Sequence, residues 1–211
     1  MKLIDLTHAF KFPMPVYPGD PEPVFTELSS VRKDGYLDVE VTSGLHVGTH
    51  IDAPAHMIIG GKYLTDYPLE RFVGRGVLVD ARGKRQVSDA LIRSVNLQPG
   101  DIVLVLTGWS EKFGDPGYFV DYPIFTEGFA ERLTGAGISM IGMDTPSPDA
   151  FTSNDELVER GSAEGLYPIH HILLESDVLI AENLNHLDQL ANVKEFGIIA
   201  LPTKFAMDSA P

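Results

Sequence analysis

Asp101 to Thr107 reads DIVLVLT, an uninterrupted apolar run of strand length that suits a strand buried on both faces. Runs of the same kind recur at Gly76 to Ala81 (GVLVDA), Ile138 to Met143 (ISMIGM), Asp177 to Ala181 (DVLIA) and Phe196 to Leu201 (FGIIAL). Stretches with helical start signals separate them: Ser88 before DALIRSV, Thr126 before EGFAERL with Gly135 as a stop, and Pro168 at the first turn of PIHHILLES. Strand and helix therefore alternate through the second half, which predicts a mixed α/β domain. Upstream of Gly76 the chain carries Pro13, Pro15, Pro18, Pro21, Pro23, Pro54 and Pro68 and no long helical period, so loops and strands are expected there. No internal repeat, low-complexity tract or linker divides the chain, and residues 1–211 are read as one domain.

The chain has 211 residues, enough to bury a core without disulfides, and 44% of them are hydrophobic against 22% charged, the composition of a folded globular protein. Thirty acidic against sixteen basic residues set a formal charge of −14, which repels phosphate backbones and anionic headgroups and argues against nucleic acid or a membrane as partner. The absence of cysteine removes disulfide frameworks, thiolate metal sites and cysteine nucleophiles together, so any metal must be held by nitrogen and oxygen. A G-x-S-x-G elbow, a phosphate loop and a dinucleotide fingerprint are also missing, which disfavours a serine hydrolase and dependence on ATP or NAD. MKLIDLTHAF has no apolar run long enough for a signal sequence, and no segment approaches the ~18 apolar residues of a membrane helix, so a cytoplasmic location is expected.

The densest chemical signal lies in Leu45 to Met57, LHVGTHIDAPAHM. Three of the seven histidines of the chain, His46, His50 and His56, fall within eleven residues together with Asp52. In an extended segment residues an even number apart share a face, so all four could converge, and imidazole with carboxylate suits Zn2+, Mn2+ or Fe2+. Pro54 ends a regular strand before His56, which sets that histidine apart from the other three. Gly48 allows a turn or a close backbone approach, and the Thr49 hydroxyl is available to support a ligand from outside. The bland alternative, histidines satisfied by backbone carbonyls, is disfavoured because crowded imidazoles repel once protonated. A second segment, PIHHILLESDVLIAENL, puts Ile169, Ile172 and Leu173 on one apolar helical face and ends an otherwise apolar strand in Glu182. That carboxylate needs a partner: a lysine, a loop to cap, or a metal.

HVGTHIDAPAH resembles the HxGTHxDxPxH signature of the cyclase-like metal-dependent hydrolases, the family that includes bacterial kynurenine formamidase and isatin hydrolase. Further pieces stand in the family's order: IDLTHAF and PVYPGDPEP near the start, LTGW at Leu106 to Trp109, GMDTPSPD at Gly142 to Asp149 and HHILLESDVLIAENL at His170 to Leu184. The resemblance spans essentially the whole chain and implies a swivelling β/β/α core with helices outside, assembled as a homodimer or larger homo-oligomer. It implies that His46, His50 and Asp52 bind metal, with Asp52 bridging where two ions are present, and that His56 is the general acid/base. The family's remaining ligands, a histidine at a helix start and a glutamate twelve residues later, fall on His170 and Glu182; His171 competes, and only the spacing favours its neighbour. The residue before PGD, usually Trp in the formamidases, lines the pocket; here it is Tyr17, whose hydroxyl changes what that pocket can hydrogen-bond. Relatives run several residues past DSAP, so a further terminal strand is expected of the family.

Such a ligand set, holding Zn2+ or Mn2+ as one or two ions per subunit, lowers the pKa of a bound water. Hydroxide then attacks an amide, lactam or formyl carbonyl polarised by the metal, and His56 passes the proton to the leaving nitrogen. The expected activity is therefore metal-dependent hydrolysis of an amide-type C–N bond in a small molecule, an aryl formamide or a cyclic amide. A family cyclase or dehydratase needs the same ligands, and a metal- or small-molecule-binding module without catalysis is a third alternative. Ser110 to Phe125, SEKFGDPGYFVDYPIF, is an aromatic-rich loop that serves as a pocket wall or lid, or as an apolar anchor. DTPSPD, with Asp144, Ser147 and Asp149, buttresses the site or is a plain proline-rich turn.

Overall fold

The apolar runs become strands, and most of them pair into one sheet. The computed structural model describes residues 2–153, 156 and 165–205; the DSAP terminus lies outside them. In chain order the elements are β1 (Val24–Ser29), α1 (Val31–Asp34), β2 (Asp38–Thr42), β3 (His50–Asp52), β4 (Val73–Asp80), β5 (Gln86–Val87), β6 (Ile102–Leu106), β7 (Ile124–Phe125), α2 (Glu127–Gly135), β8 (Met140–Met143), α3 (Pro168–Glu175), β9 (Leu179–Glu182) and β10 (Phe196–Ile199). The main sheet has the order β10-β4-β6-β8-β9-β3. Its inner strands β4, β6, β8 and β9 run parallel, and β10 and β3 are antiparallel edges. The β1-β2 ribbon and the short β5-β7 pair stand outside this sheet. Among the described residues, no helix is long and apolar enough to cross a membrane.

Both faces of β6 are covered, which is why its sequence shows no alternation. Ile102, Leu104 and Leu106 pack with Phe72, Leu187 and Leu190 on one side, and Val103 and Val105 meet Phe129, Leu133 and Leu173 of α2 and α3 on the other. Thr126 caps α2, its Oγ1 accepting from Phe129 N at 3.3 Å. The stop lies later than expected: α2 includes Gly135, and the chain turns at Gly137, whose φ of 71° suits a residue without Cβ.

Two expectations fail. After Ser88 only a single 3-10 turn forms, at Asp89–Leu91, without a side-chain cap. Ile92, Ser94, Val95 and Asn96 are weak helix formers, and burying Leu91, Ile92 and Val95 in the core outweighs what helical propensity remains. Phe196 to Leu201, read as buried, is the edge strand β10, where alternation turns Ile198 into the core layer and Ile199 to solvent, because only one face of this edge strand is covered.

This topology positions the site. The carboxyl ends of β6, β8 and β9 lie at one edge, where open α/β sheets bind ligands. Because β3 is antiparallel to β9, its first residue arrives at that same edge.

Candidate metal centre

Pairing of β3 with β9 sets His50 opposite Glu182, Ile51 opposite Ala181 and Asp52 opposite Ile180. Alternation sends Ile51 and Ala181 into one core layer and turns His50, Asp52 and Glu182 to the opposite face, where the first turn of α3 delivers His170. His46 is not in the strand. Residues 45–49 bend instead, and Gly48, at φ 72°, turns the chain so that His46 reaches Asp52. A Cβ at position 48 would meet Met14 Cε at 2.5 Å, a contact the flexible methionine end can relieve, so it is the positive φ that favours glycine here. Parity along a single extended segment, expected to gather residues 46, 50, 52 and 56, thus accounts only for His50 and Asp52.

Asp52 is the hub. Its Oδ1 lies 2.8 Å from His46 Nδ1 and 3.3 Å from His50 Nε2, and its Oδ2 lies 3.7 Å from His170 Nε2. Glu182 faces the same rings, Oε2 at 3.5 Å from His50 Nε2 and Oε1 at 3.3 Å from His170 Nε2. His56 sits in the 3-10 turn Pro54–His56, beyond the strand as Pro54 implies, yet it does not stand apart: its ring packs on His46 with centroids 3.9 Å apart. His171 is half-buried and turns to Glu175, which leaves His170 as the inward histidine. Two sets of donor atoms emerge, His46–Asp52–His56 and His50–Asp52–Glu182, each within 4.8 Å and both using Asp52.

The chemistry of this set fits a divalent ion. Among the described residues, His50 Nε2, both Asp52 oxygens and Glu182 Oε1 are buried and make no hydrogen bond, a costly arrangement that a cation relieves. Burial opposes charge on His50, but Asp52 and Glu182 together hold its pKa up at about 9. Burial also opposes charge on His170, and Asp149, Asp52 and Glu182 still raise it well above the ordinary histidine range. Glu182 is pushed up by burial and by the neighbouring Asp52. An ion needs the imidazoles neutral, so binding displaces protons. Zn2+ affinity is therefore expected to weaken about tenfold per pH unit below about 9 for each proton displaced. Calorimetry at pH 7 in buffers of different ionisation enthalpy checks this; binding without proton release contradicts it.

Residues 4–150 match the Cyclase family model, described as "Putative cyclase". The chain belongs to the cyclase family. A kynurenine formamidase of Salinibacter ruber is 31% identical over 218 residues, spanning 100% of this chain and 95% of that protein. A Bacillus stearothermophilus structure described as a predicted metal-dependent hydrolase shares 26% identity at a TM-score of 0.75, covering 99% of this chain and 94% of that one. Isatin hydrolase A from Labrenzia aggregata, bound to benzyl benzoate, superposes with a TM-score of 0.79 at 23% identity over 98% of this chain and 89% of that one, a likeness of fold.

In this cyclase-family chain the DTPSPD segment is more than a turn. Asp149 accepts hydrogen bonds from Ile169 N at 2.9 Å, His170 N at 3.0 Å and His170 Nδ1 at 2.6 Å, which leaves Nε2 aimed at Asp52 and Glu182. Buried Asp144 accepts from Thr107 N, Thr107 Oγ1 and Gly108 N and ties the ends of β6 and β8 together. Thr49 Oγ1 donates to the Asn183 carbonyl at 2.6 Å and accepts from His8 N at 2.9 Å, so it locks β3 to the end of β9 beneath the N-terminal segment. Two contributors escape sequence reasoning. Asn183, at φ 54°, turns the chain directly after Glu182, and fully buried Tyr118 donates to its Oδ1 at 2.9 Å. The tolerance of Asn for the left-handed region was the one available signal.

The aromatic loop of this family member is anchored and also reaches Tyr17. Tyr118 holds it down, and Trp109 Nε1 donates to the Tyr118 carbonyl at 2.9 Å. Phe119 instead meets the ring of Tyr17 edge-on at 5.9 Å, and Phe151 approaches Tyr17 at 5.5 Å. Burial raises the Tyr17 hydroxyl to a pKa of about 12, so it stays a donor at any ordinary pH.

Proposed function

We propose that this chain is a divalent-metal-dependent hydrolase that opens the amide C–N bond of an aryl formamide or a cyclic amide. The observation that carries the proposal is the buried Asp52 hub, shared by two donor sets, with His50 Nε2, both Asp52 oxygens and Glu182 Oε1 buried and without a hydrogen bond among the described residues. The kynurenine formamidase relative and the family's metal-dependent hydrolases support the choice of chemistry. His46, His50, Asp52, His170 and Glu182 are the ligands, for one or two ions of Zn2+ or Mn2+, with Asp52 as bridge when two bind. A bound ion supplies the Lewis acid that polarises the scissile carbonyl and acidifies the attacking water.

The protein's own part is proton transfer and orientation. Burial pushes the His56 pKa down, Asp52 pulls it back up, and His46, His170 and His50 add to burial, leaving it at about 4. His56 is therefore neutral at pH 7 and able to take a proton from the attacking water and return it to the leaving nitrogen. Tyr17, which packs against Phe119 and Phe151, is the residue we assign to stack on an aryl substrate.

The test is hydrolysis of N-formylkynurenine and isatin by protein purified without chelator, before and after metal stripping, alongside elemental analysis. One to two equivalents of metal with activity lost on stripping and restored on addition is the expected result. Metal bound with neither compound turned over moves the search to cyclase chemistry, and no metal after reconstitution overturns the proposal. Asp149→Asn is expected to weaken metal affinity about 10- to 100-fold by freeing the His170 ring, measured by competition with a chromogenic chelator.

We also propose a second copy of this chain as partner. A two-stranded ribbon is marginal alone in water, yet β2 is exposed along its whole length and presents Val39 and Val41 opposite Glu27 and Phe25. Sedimentation is expected to give a dimer for the native chain and a monomer for the Val39→Asp, Val41→Asp double variant; a dimer in both places the interface elsewhere.

A further inference from the structure

His56 enters the metal-ligating group from the short turn Pro54–His56, which has no side-chain cap, so its aim depends on the backbone packed around that turn. The chain that follows, Met57 to Lys62, doubles back on it. Met57 N and Ile58 N donate to the Pro54 carbonyl at 3.1 and 2.8 Å, and Gly61 N donates to the Ile58 carbonyl at 2.9 Å. Ala55 N then donates to the Lys62 carbonyl at 3.0 Å, which satisfies a donor that the start of a helical turn leaves unpaired.

Two adjacent glycines close this return and answer to different demands. Gly60 has a φ of 74° and, among the described residues, open space where a Cβ would stand. Gly61 lies outside the left-handed region, but a Cβ there would stand 2.5 Å from Pro54 C, 2.7 Å from Pro54 O and 2.7 Å from Ala55 N. All three are backbone atoms of the peptide directly before His56, and they cannot swing aside as a flexible side chain can. Room for a side chain at position 61 therefore comes only from shifting that peptide, and His56 with it, or from lifting the return off the turn, which breaks the bond from Ala55 to Lys62. Lys62 opposes the lifting, because its Nζ donates to both Asp177 carboxylate oxygens at 3.1 Å. The Tyr67 hydroxyl donates to the same carboxylate at 2.6 Å and Arg71 donates to the Asp177 carbonyl, so the anchor is itself fixed. Asp177 sits between α3, which carries His170, and β9, which ends in Glu182, so the return ties the turn of His56 to the segment of two proposed ligands.

We propose that Gly61 and Lys62 are positioning residues for His56: Gly61 seats the return directly on the Pro54–Ala55 peptide, Lys62 tethers it, and together they hold the His56 ring against His46. The proposal rests on the reading of His56 as proton carrier and deepens it.

The experiment measures kcat, KM and metal content with N-formylkynurenine and isatin for metal-loaded native protein, Gly61→Ala, Gly60→Ala, His56→Ala and the double variant Gly61→Ala, His56→Ala. The nuclear Overhauser contact between the His46 and His56 rings is followed in the Zn2+-loaded proteins. Gly61→Ala is expected to lose about 10- to 100-fold in kcat, with KM and metal content within about twofold of native, because a reacting group misplaced by about 1 Å costs up to about 10²-fold. Gly60→Ala strains the same return without touching the turn and is expected to stay within about threefold of native kcat. In the His56→Ala background, Gly61→Ala is expected to cost less than about twofold more, since no proton carrier is left to misplace. Equal losses in Gly60→Ala and Gly61→Ala, or a Gly61→Ala loss undiminished without His56, make the return merely structural and overturn the proposal. Should Gly61→Ala fail to fold, Lys62→Met takes its place, with a loss of about two- to fivefold in kcat at constant KM as the expected result and native kcat as the overturning one. Should neither compound be turned over, or His56→Ala keep full activity, the proton-carrier reading fails by itself and the ring contact decides. A contact kept in native protein and Gly60→Ala but weakened in Gly61→Ala or Lys62→Met supports the positioning, and one unchanged in all of them, or absent from native protein, overturns it.

Discussion

Asp52→Asn is expected to leave a folded protein that neither retains metal nor turns over substrate. The exchange conserves shape at a residue 1% exposed, so no cavity opens. What disappears is the one carboxylate both donor sets share, the anion that His46, His50 and His170 all face. Glu182 remains, but it belongs to only one set and cannot bridge to His46 and His56. Elemental analysis should find less than about a tenth of an equivalent of metal, and kcat/KM should fall at least about 10³-fold, since both the Lewis acid and the acidified water are lost. Stability reports the same event. An ion that binds only the folded chain adds about 2.7 kcal/mol at a hundred times its Kd, so Zn2+ raises the melting midpoint of the native protein. The Asp52→Asn midpoint should not respond. A variant that keeps its full metal complement would move the ligand set away from this hub.

His56→Ala separates chemistry from metal binding. Removing a positioned proton carrier costs about 10²–10⁴-fold in turnover. The His50–Asp52–Glu182 set does not include His56, so at least one ion per chain is expected to stay. The geometry makes this variant decisive, because His56 lies against His46 and shares a donor set with it and Asp52. Turnover lost with metal content intact identifies a proton carrier. Turnover and one equivalent of metal lost together make His56 a ligand of a second ion instead.

Much of this was legible locally. The unbroken apolar run of β6 announced a strand covered on both faces, and Thr126 and Pro168 marked the starts of α2 and α3, because strand burial and helix starts are written in neighbouring residues. The turn after Ser88 and the edge strand β10 were misread for the complementary reason: propensity and apolarity do not say how many neighbours a segment will have. His56 was set apart from the other histidines because Pro54 does end the strand, but the following 3-10 turn folds the ring back onto His46.

The sequence by itself determined the chemistry available. Without cysteine any metal site must be nitrogen and oxygen, the clustering of His46, His50, Asp52 and His56 named the first residues to watch, and the family resemblance added His170 and Glu182. Only the tertiary structure decided how they meet. The register of β3 on β9 puts His50 against Glu182, the bend at Gly48 swings His46 to Asp52, and the docking of α3 with Asp149 selects His170 over His171. These outcomes depend on pairings between segments far apart in the chain, whose energies come from packing and shared hydrogen bonds, and no local pattern of residues encodes those.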